Sequence, residues 1–294
     1  MNILITGGTG FVGTYLTKYL LGKNHVVTIL TRDKSKVAAS VNAIEDISEI
    51  KPSQKIDAII NLAGSSINKR WSESYKQELI DSRVRVTKKV ISLIKNLKQK
   101  PKVLISASAI GYYGSQDARI IDENSAVTDE FTHHLCQKWE NEALKAKELG
   151  VRVCITRLGV VLGENGGALK QMLPPFKMGL GGKIGSGQQY FSWVHIDDVI
   201  SVFDFLINDQ KQSGVFNLTS PNPVTNNEFT KALASSLGRP AIFPMPKCAV
   251  KLIFGEMGET LLLKGQRVVP SHLEKVGFDF KFPKINQALG EIIK

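Results

Sequence analysis

Apolar residues along this chain gather in short, nearly unbroken blocks set between longer stretches of mixed character. Ile3-Leu4-Ile5 comes first, and Val26-Val27-Thr28-Ile29-Leu30, Ile56–Leu62, Val103–Ser108 and Val151–Leu158 follow. A strand with one solvated face alternates apolar and polar residues. These blocks do not alternate, so they are expected to be strands covered on both faces. Between them, Val12 to about Leu21, Glu73–Asn96 and about Thr128–Leu149 are long enough for helices. Strands alternating with helices of this length build parallel βαβ units, so the predicted fold is α/β, a Rossmann-like doubly wound parallel sheet. Ligands of such sheets bind at the carboxyl ends of the strands, where small residues such as Ala63 and Gly64 collect here.

Beyond Leu158 the texture changes. Nine prolines from Pro174 to Pro283, with Gly179-Leu180-Gly181-Gly182 and Gly185-Ser186-Gly187, break the regular alternation. Short strands (Phe191–His195, Val215–Thr219) mix with helices (Asp197–Asn208, Asn226–Leu237, Pro283–Ile293). The pattern predicts residues 1–160 as a Rossmann-like domain and 161–294 as a smaller mixed lobe over its cleft. No linker is clean enough to separate them, so the segments are expected to interleave across an approximate boundary.

Composition narrows the function classes. With 294 residues, 43% of them hydrophobic and 22% charged, the chain has the make-up of a globular protein with a sizeable core. No stretch is apolar for long enough to span a bilayer, and the first strand stands where a signal peptide would, so no membrane partner is expected. Three scattered cysteines (Cys136, Cys154, Cys248) build neither a disulfide framework nor a metal site, and a reducing cytoplasm is the expected compartment. The net charge of +11 comes from scattered lysines, with only a loose cluster from Lys88 to Lys102. No basic–aromatic element accompanies them, so no nucleic-acid partner is expected; the positive surface would instead steer an anionic cofactor or substrate.

The first strand runs into Gly7-Gly8-Thr9-Gly10-Phe11-Val12-Gly13 and then a helix. Glycines at such a turn permit cramped backbone angles, close approach of a pyrophosphate, and tight helix–strand packing, while the helix N-terminus offers free N–H groups. The Gly8-x-Gly10-x-x-Gly13 spacing gains force from the strand before it, the helix after it and the second strand that follows. Gly7, Thr9, Gly10, Phe11, Val12 and Gly13 are therefore expected to line a dinucleotide. The second strand ends in Thr31-Arg32, with no carboxylate at its tip to hold ribose hydroxyls, although Asp33 follows at once. An arginine takes a phosphate bidentately, so Thr31 and Arg32 point to NADP(H) over NAD(H).

Thr6-Gly7-Gly8-Thr9-Gly10-Phe11-Val12-Gly13, Asn61-Leu62-Ala63-Gly64, Arg157-Leu158-Gly159-Val160-Val161-Leu162-Gly163 and Trp193-Val194-His195-Ile196-Asp197-Asp198-Val199 resemble the extended short-chain dehydrogenase/reductase family. Arg70-Trp71, Glu78 with Asp81-Ser82-Arg83, Gly111-Tyr112-Tyr113-Gly114, Lys138-Trp139-Glu140 and Leu173-Pro174-Pro175-Phe176 are similar to an atypical branch of it, the epimerase family proteins. The resemblance runs end to end. It implies an NAD(P)-binding domain, a C-terminal lobe for a small-molecule substrate, and often a homodimer. It also implies cofactor contacts at Leu62, Ala63, Val160, Glu78 and Arg83, the last standing where the wider family carries an asparagine. For Glu78 and Arg83 a plain reading stands beside this one: charges on an exposed helix.

The same resemblance exposes a gap. The wider family moves a proton with a Tyr whose pKa is lowered by a Lys four residues later, while a Ser or Thr holds the reacting oxygen. No Tyr-x-x-x-Lys falls in the expected helix. Counting from Tyr113-Gly114 puts Ala109 at the hydroxyl position with Ser108 beside it, and the family's usual spacing then reaches His134 and Lys138. His134 with Lys138 and Ser108 is one candidate acid–base set; a surface histidine is the other reading of His134. Tyr113, or Tyr112, is a second candidate acid. His195 and Asp197 read as a strand end followed by an Asp197 or Asp198 cap. No Gly-x-Ser-x-Gly elbow and no cluster with metal-ligand spacing is present. Two functions are thus expected: hydride transfer to a small polar substrate, or NADP(H) binding without turnover as a sensor or scaffold, which would suit the cell-division label some relatives carry.

Overall fold

Leu4 lies between Ile59 on one side and Thr28 on the other, with all three strands running in the same direction. The computed structural model, which describes residues 1–294, extends that arrangement to a seven-stranded sheet. The strands are β1 (Asn2–Thr6), β2 (Val26–Leu30), β3 (Asn42–Ile44), β4 (Ala58–Asn61), β5 (Val103–Ala109), β6 (Ile120–Ile121), β7 (Arg152–Leu158), β8 (Val160–Leu162), β9 (Tyr190–Phe191), β10 (Trp193–His195), β11 (Gly214–Leu218), β12 (Val224–Thr225) and β13 (Arg267–Val268). The main sheet has the order β11-β7-β5-β4-β1-β2-β3 and is parallel throughout. The helices are α1 (Phe11–Gly22), α2 (Glu73–Asn96), α3 (Phe131–Leu144), α4 (Gly167–Lys177), α5 (Ile196–Asn208), α6 (Asn226–Leu237), α7 (Lys247–Gly258), α8 (Ser271–Lys275) and α9 (Ile285–Ile292).

Alternate side chains of a strand point to opposite faces. Ile3 and Ile5 pack with Leu16 and Leu20 of α1 and with Val199 and Phe203 of α5. Leu4, between them, packs with Val90 and Ile94 of α2 and Ala143 of α3. Both faces are apolar, which is why the strand shows no alternation. A rigid two-sided sandwich results, and every strand of it delivers its carboxyl end to one edge, where the glycine loop sits.

The segments interleave. Helix α5 and strand β11 come from beyond residue 160, yet α5 covers the sheet beside α1, and β11 pairs with β7 from Gly214↔Cys154 to Leu218↔Leu158. The rest of the C-terminal half has its own small core, where Leu169 and Phe176 of α4 meet Phe229 and Leu233 of α6 and Leu289 of α9.

Helix α4 runs through Pro174 and Pro175, where the sequence suggested a break in regular structure. The missing N–H groups remove hydrogen bonds only near its end. Burial of Leu169 and Phe176 holds the helix in the lobe's core, and Gly179, at φ +74°, follows its last turn. Helix α3 starts at Phe131, later than the expected Thr128, and yields to a 3-10 turn over Lys145–Leu149.

Candidate functional site

Three glycines set the first turn by what a Cβ would strike. At Gly7, with φ +71°, a Cβ would lie 2.8 Å from the carbonyl carbon of Leu62, so the exits of β1 and β4 run against each other. At Gly13 it would lie 2.3 Å from the Gly7 oxygen, and at Gly8 2.7 Å from the Ile29 side chain. Gly10 closes the turn by donating its N–H to Gly7 O at 3.0 Å, and Thr14 N donates to Gly10 O at 2.9 Å to begin the helix ladder. Gly10 caps α1 with no side chain, and the N–H groups of Phe11, Val12 and Gly13 are left pointing out of the first turn. Thr9 and Gly10 are exposed beside them. This is an anion cradle of the kind a pyrophosphate fills.

The neighbouring strand ends are cross-braced. Buried Thr6 donates Oγ1 to Asn61 Oδ1 at 2.6 Å, while Asn61 Nδ2 donates to Thr87 at 2.9 Å and Ser106 at 3.2 Å. Ala63 N donates to Thr6 Oγ1 at 3.3 Å, so half-buried Leu62 and Ala63 leave the sheet in a fixed direction beside the glycine turn. Phe11 packs against the Gly163–Gly167 loop: a Cβ at Gly166 would fall 2.2 Å from the ring. Val160 begins β8 nearby and is half-buried.

At the end of β2, Arg32 is exposed. Asp33, beside it, is engaged by Ser35 and Lys36. Its carboxylate accepts from Ser35 N at 3.0 Å, caps the turn over Lys34–Lys36 and pairs with Lys36 at 3.2 Å. The Ser35 hydroxyl and the Lys36 ammonium beside it hold its carboxyl below the usual carboxylate range.

Glu78 and Arg83 both reach the loop after β4. Glu78 accepts from Ser65 Oγ at 2.8 Å, and Arg83 donates to Ser65 O at 3.1 Å and Leu79 O at 2.9 Å. The Arg83 guanidinium lies 5.2 Å over the Trp139 ring, its Nε is buried with no acceptor, and burial lowers its pKa. Glu78 and Arg83 therefore fix the wall of the cleft, and Arg83 keeps one donor free.

Helix α3 turns one face to the end of β5. Thr132, Cys136 and Glu140 are buried on it, four residues apart. A Cβ on Gly111 would meet Thr132 Cβ at 3.1 Å, Cys136 Sγ donates to Ala109 O at 3.7 Å, and Ser108 Oγ donates to Glu140 Oε1 at 2.6 Å. Two residues rotate a helix by about 200°, so His134 and Lys138 lie on the far side. Both are exposed, and His134 Nε2 sits 2.6 Å from Asp129 Oδ1. The expected set of His134, Lys138 and Ser108 is thus not brought together: burial selects the Thr132–Cys136 face, and counting along the sequence lands two residues late.

Tyr113 is not poised as an acid either. It is fully buried, donates its hydroxyl to Asn217 Oδ1 at 2.7 Å and accepts from Arg157 Nη1 at 2.9 Å. Burial pushes the phenol up to about 12. Arg157 holds the group together, donating from Nε and Nη2 to the two Glu140 oxygens at 2.9 and 2.8 Å and stacking 3.4 Å over the Tyr112 ring. Burial works against its charge, but the Glu140 carboxylate raises its pKa overall. Burial likewise pushes the Cys136 thiol up to about 11. No group of three or more His, Cys, Asp or Glu side chains is placed to hold a metal ion.

The model of the NAD dependent epimerase/dehydratase family matches residues 3–219. The chain belongs to this family. A second model, Domain of unknown function (DUF1731), matches residues 245–292. The Arabidopsis thaliana "Epimerase family protein SDR39U1 homolog, chloroplastic" is 42% identical, over 100% of this chain and 87% of that protein. The Staphylococcus aureus (strain N315) "Epimerase family protein SA0724" is 41% identical, over 99% of this chain and 98% of its own length. Among solved structures, human epimerase family protein SDR39U1 (isoform 2) with NADPH superposes with a TM-score of 0.91 at 35% identity, covering 100% and 99% of the two chains. UDP-glucose 4-epimerase with UDP-glucose from Thermotoga maritima shares the fold at 18% identity and a TM-score of 0.81, covering 100% and 97% of the two chains.

For this epimerase family chain, the glycine cradle, the free first-turn N–H groups and the unpartnered Arg83 Nε all fit a dinucleotide. Sequence reasoning gave Glu140 and Arg157 no role, although a signal was there: a charged residue inside a strand covered on both faces demands a buried partner. Helix α5 is capped by His195, where the sequence suggests Asp197 or Asp198. His195 Nδ1 accepts from Asp197 N at 3.1 Å, while Asp198 accepts from Lys281 N at 2.7 Å and Phe282 N at 3.1 Å.

Proposed function

We propose that this epimerase family chain holds NADP(H) along the carboxyl ends of β1, β2 and β4 and exchanges hydride with a small polar molecule under the C-terminal lobe. When bound, the nicotinamide supplies the hydride acceptor or donor. The first-turn N–H groups of α1 receive the pyrophosphate, Leu62 and Ala63 border its path, and Thr31 and Arg32 border the ribose. The observation that carries the choice of cofactor is the Arg32–Asp33 step: the arginine is exposed and the carboxylate is committed to Ser35 and Lys36. A 2′-phosphate would meet a cation there, with the neighbouring Asp33 charge already paired to Lys36. The human relative crystallised with NADPH supports the same reading.

Fluorescence titration with NADPH and NADH tests it. NADPH is expected to bind about tenfold tighter or more, and Arg32→Ala to remove most of that margin; equal affinities would sink the assignment. Turnover is then sought as loss of absorbance at 340 nm with a panel of carbonyl compounds.

A second reading, binding without turnover, is favoured by one specific observation. Ser108 and Tyr113 are committed to Glu140, Arg157 and Asn217, and the α3 face nearest them offers Thr132 and Cys136 instead of a Tyr and a Lys. Silence across the carbonyl panel, with NADPH bound, would favour that reading.

A further inference from the structure

Two segments of the C-terminal half carry no carboxylate at all. Residues 165–196 and 229–255 contain seven lysines and arginines and not one Asp or Glu. The fold lays them side by side: Phe243 N donates to Gly181 O at 3.1 Å, Met245 N donates to Lys183 O at 2.9 Å, and Ile184 bridges to Met245. The contact is backbone to backbone, since a Cβ on Gly182 would fall 2.0 Å from the Phe243 oxygen. Helix α7 begins inside the second segment, at Lys247.

These two adjoining segments hold most of the large apolar side chains left in water. Met178, Leu180, Ile242, Phe243, Leu252 and Ile253 are between 54% and 78% exposed. Lys177, Lys183, Arg239 and Lys247 are exposed among them and make no ion pair, while Lys251 pairs with Glu259 at 3.0 Å. The other carboxylate at the rim, Glu256, is taken by Lys76 at 2.7 Å. Scattered single apolar residues on a surface are ordinary, but a cluster rimmed by one sign of charge marks an interaction site.

We propose that this face of the C-terminal lobe docks on an anionic lipid surface. Lipid uses both halves of the pattern at once, the apolar side chains entering the headgroup boundary and the lysines facing anionic headgroups. A second copy of the chain would set these cations against their own image. A nucleic-acid duplex would satisfy the lysines but leave the six apolar side chains without a role. Peripheral docking needs no spanning helix, and no helix here is long and apolar enough to cross a membrane.

The test is co-sedimentation of the full chain with vesicles of phosphatidylcholine alone or of phosphatidylcholine and phosphatidylglycerol in equal parts. Binding is expected to the anionic vesicles only, and to fade as salt rises from about 0.1 M to about 1 M, where the screening length shrinks from about 10 Å to about 3 Å. Lys247→Gln should weaken it about fivefold, the effect of one surface cation. Ile242→Ser with Phe243→Ser should weaken it at least as much, with thermal unfolding unchanged in both variants. No sedimentation with anionic vesicles would overturn the proposal. So would binding indifferent to both variants, or DNA duplex capture that ignores the Ile242/Phe243 change. A dimer in light scattering that dissolves with Phe243→Ser would assign the face to a second copy and overturn it equally.

Discussion

Arg157 grips Glu140 with two parallel hydrogen bonds, and the side chains are only 4% and 5% exposed. Removing one partner of such a pair strands a charge where water cannot reach it. Glu140→Gln or Arg157→Met is expected to lower stability by about 3–5 kcal/mol, whereas Glu140→Met with Arg157→Met together should recover much of the loss. Urea denaturation of the four proteins decides it, and single variants within about 1 kcal/mol of the parent would show the pair to be no more than a surface-strength contact.

Gly13 and Gly22 sit at opposite ends of α1 and should respond in opposite ways to alanine. A Cβ at Gly13 meets the Gly7 oxygen at 2.3 Å, but at Gly22 nothing lies within 4 Å. Gly13→Ala is expected to cost about 1–3 kcal/mol and to weaken NADPH binding, because the backbone that yields is the phosphate turn itself. Gly22→Ala should be neutral or slightly stabilising through the unfolded chain. Thermal unfolding and NADPH fluorescence on both variants check the contrast.

The phosphate turn is legible in the sequence, and the reason is local. Glycines 7 to 13 and the two-sided strands announce themselves through backbone sterics and unbroken apolar runs, and α2 spans the residues its pattern indicated. The facing of α3 was not legible. Its register depends on how the irregular segment from Gly114 to Glu130 is threaded, a tertiary outcome, and an error of two residues exchanges the buried Thr132 and Cys136 for the exposed His134 and Lys138. The partner of Arg157 is hidden for a related reason: Glu140 stands on a different element, and nothing in the spacing links them.

Tyr113 and His134 give a second paired test. Tyr113→Phe leaves Arg157 Nη1 and Asn217 Oδ1 short of a partner in a fully buried place, for an expected loss of about 1–3 kcal/mol. His134→Ala removes an exposed contact to Asp129 and should change stability by less than about 0.5 kcal/mol. Chemical denaturation reads both, and a His134 variant that loses more than Tyr113→Phe would contradict the placement.

His195 makes stability depend on pH. Its Nδ1 accepts the Asp197 N–H, its Nε2 is buried with no partner, and burial lowers its pKa below the ordinary 6.5. The unfolded chain therefore takes up the proton first as pH falls. The contribution of this histidine is complete above the unfolded pKa and is lost progressively as pH drops below about 6.5. Melting temperatures between pH 8 and pH 5 should fall less steeply in His195→Asn, which keeps a capping oxygen without the titration. Parallel slopes for the two proteins would exclude the effect.

The place of β11 carries a consequence for how this molecule is made. Strand β7 ends at Leu158, and the strand that covers its outer edge does not begin until Gly214. During synthesis the nascent sheet therefore waits, with the backbone of β7 unpaired, while the whole stretch from residue 159 to residue 213 is delivered. An open parallel edge of that kind invites pairing with other chains. The interval is the window in which a chaperone would protect this polypeptide, and it closes when Phe216 reaches its seat beneath the sheet.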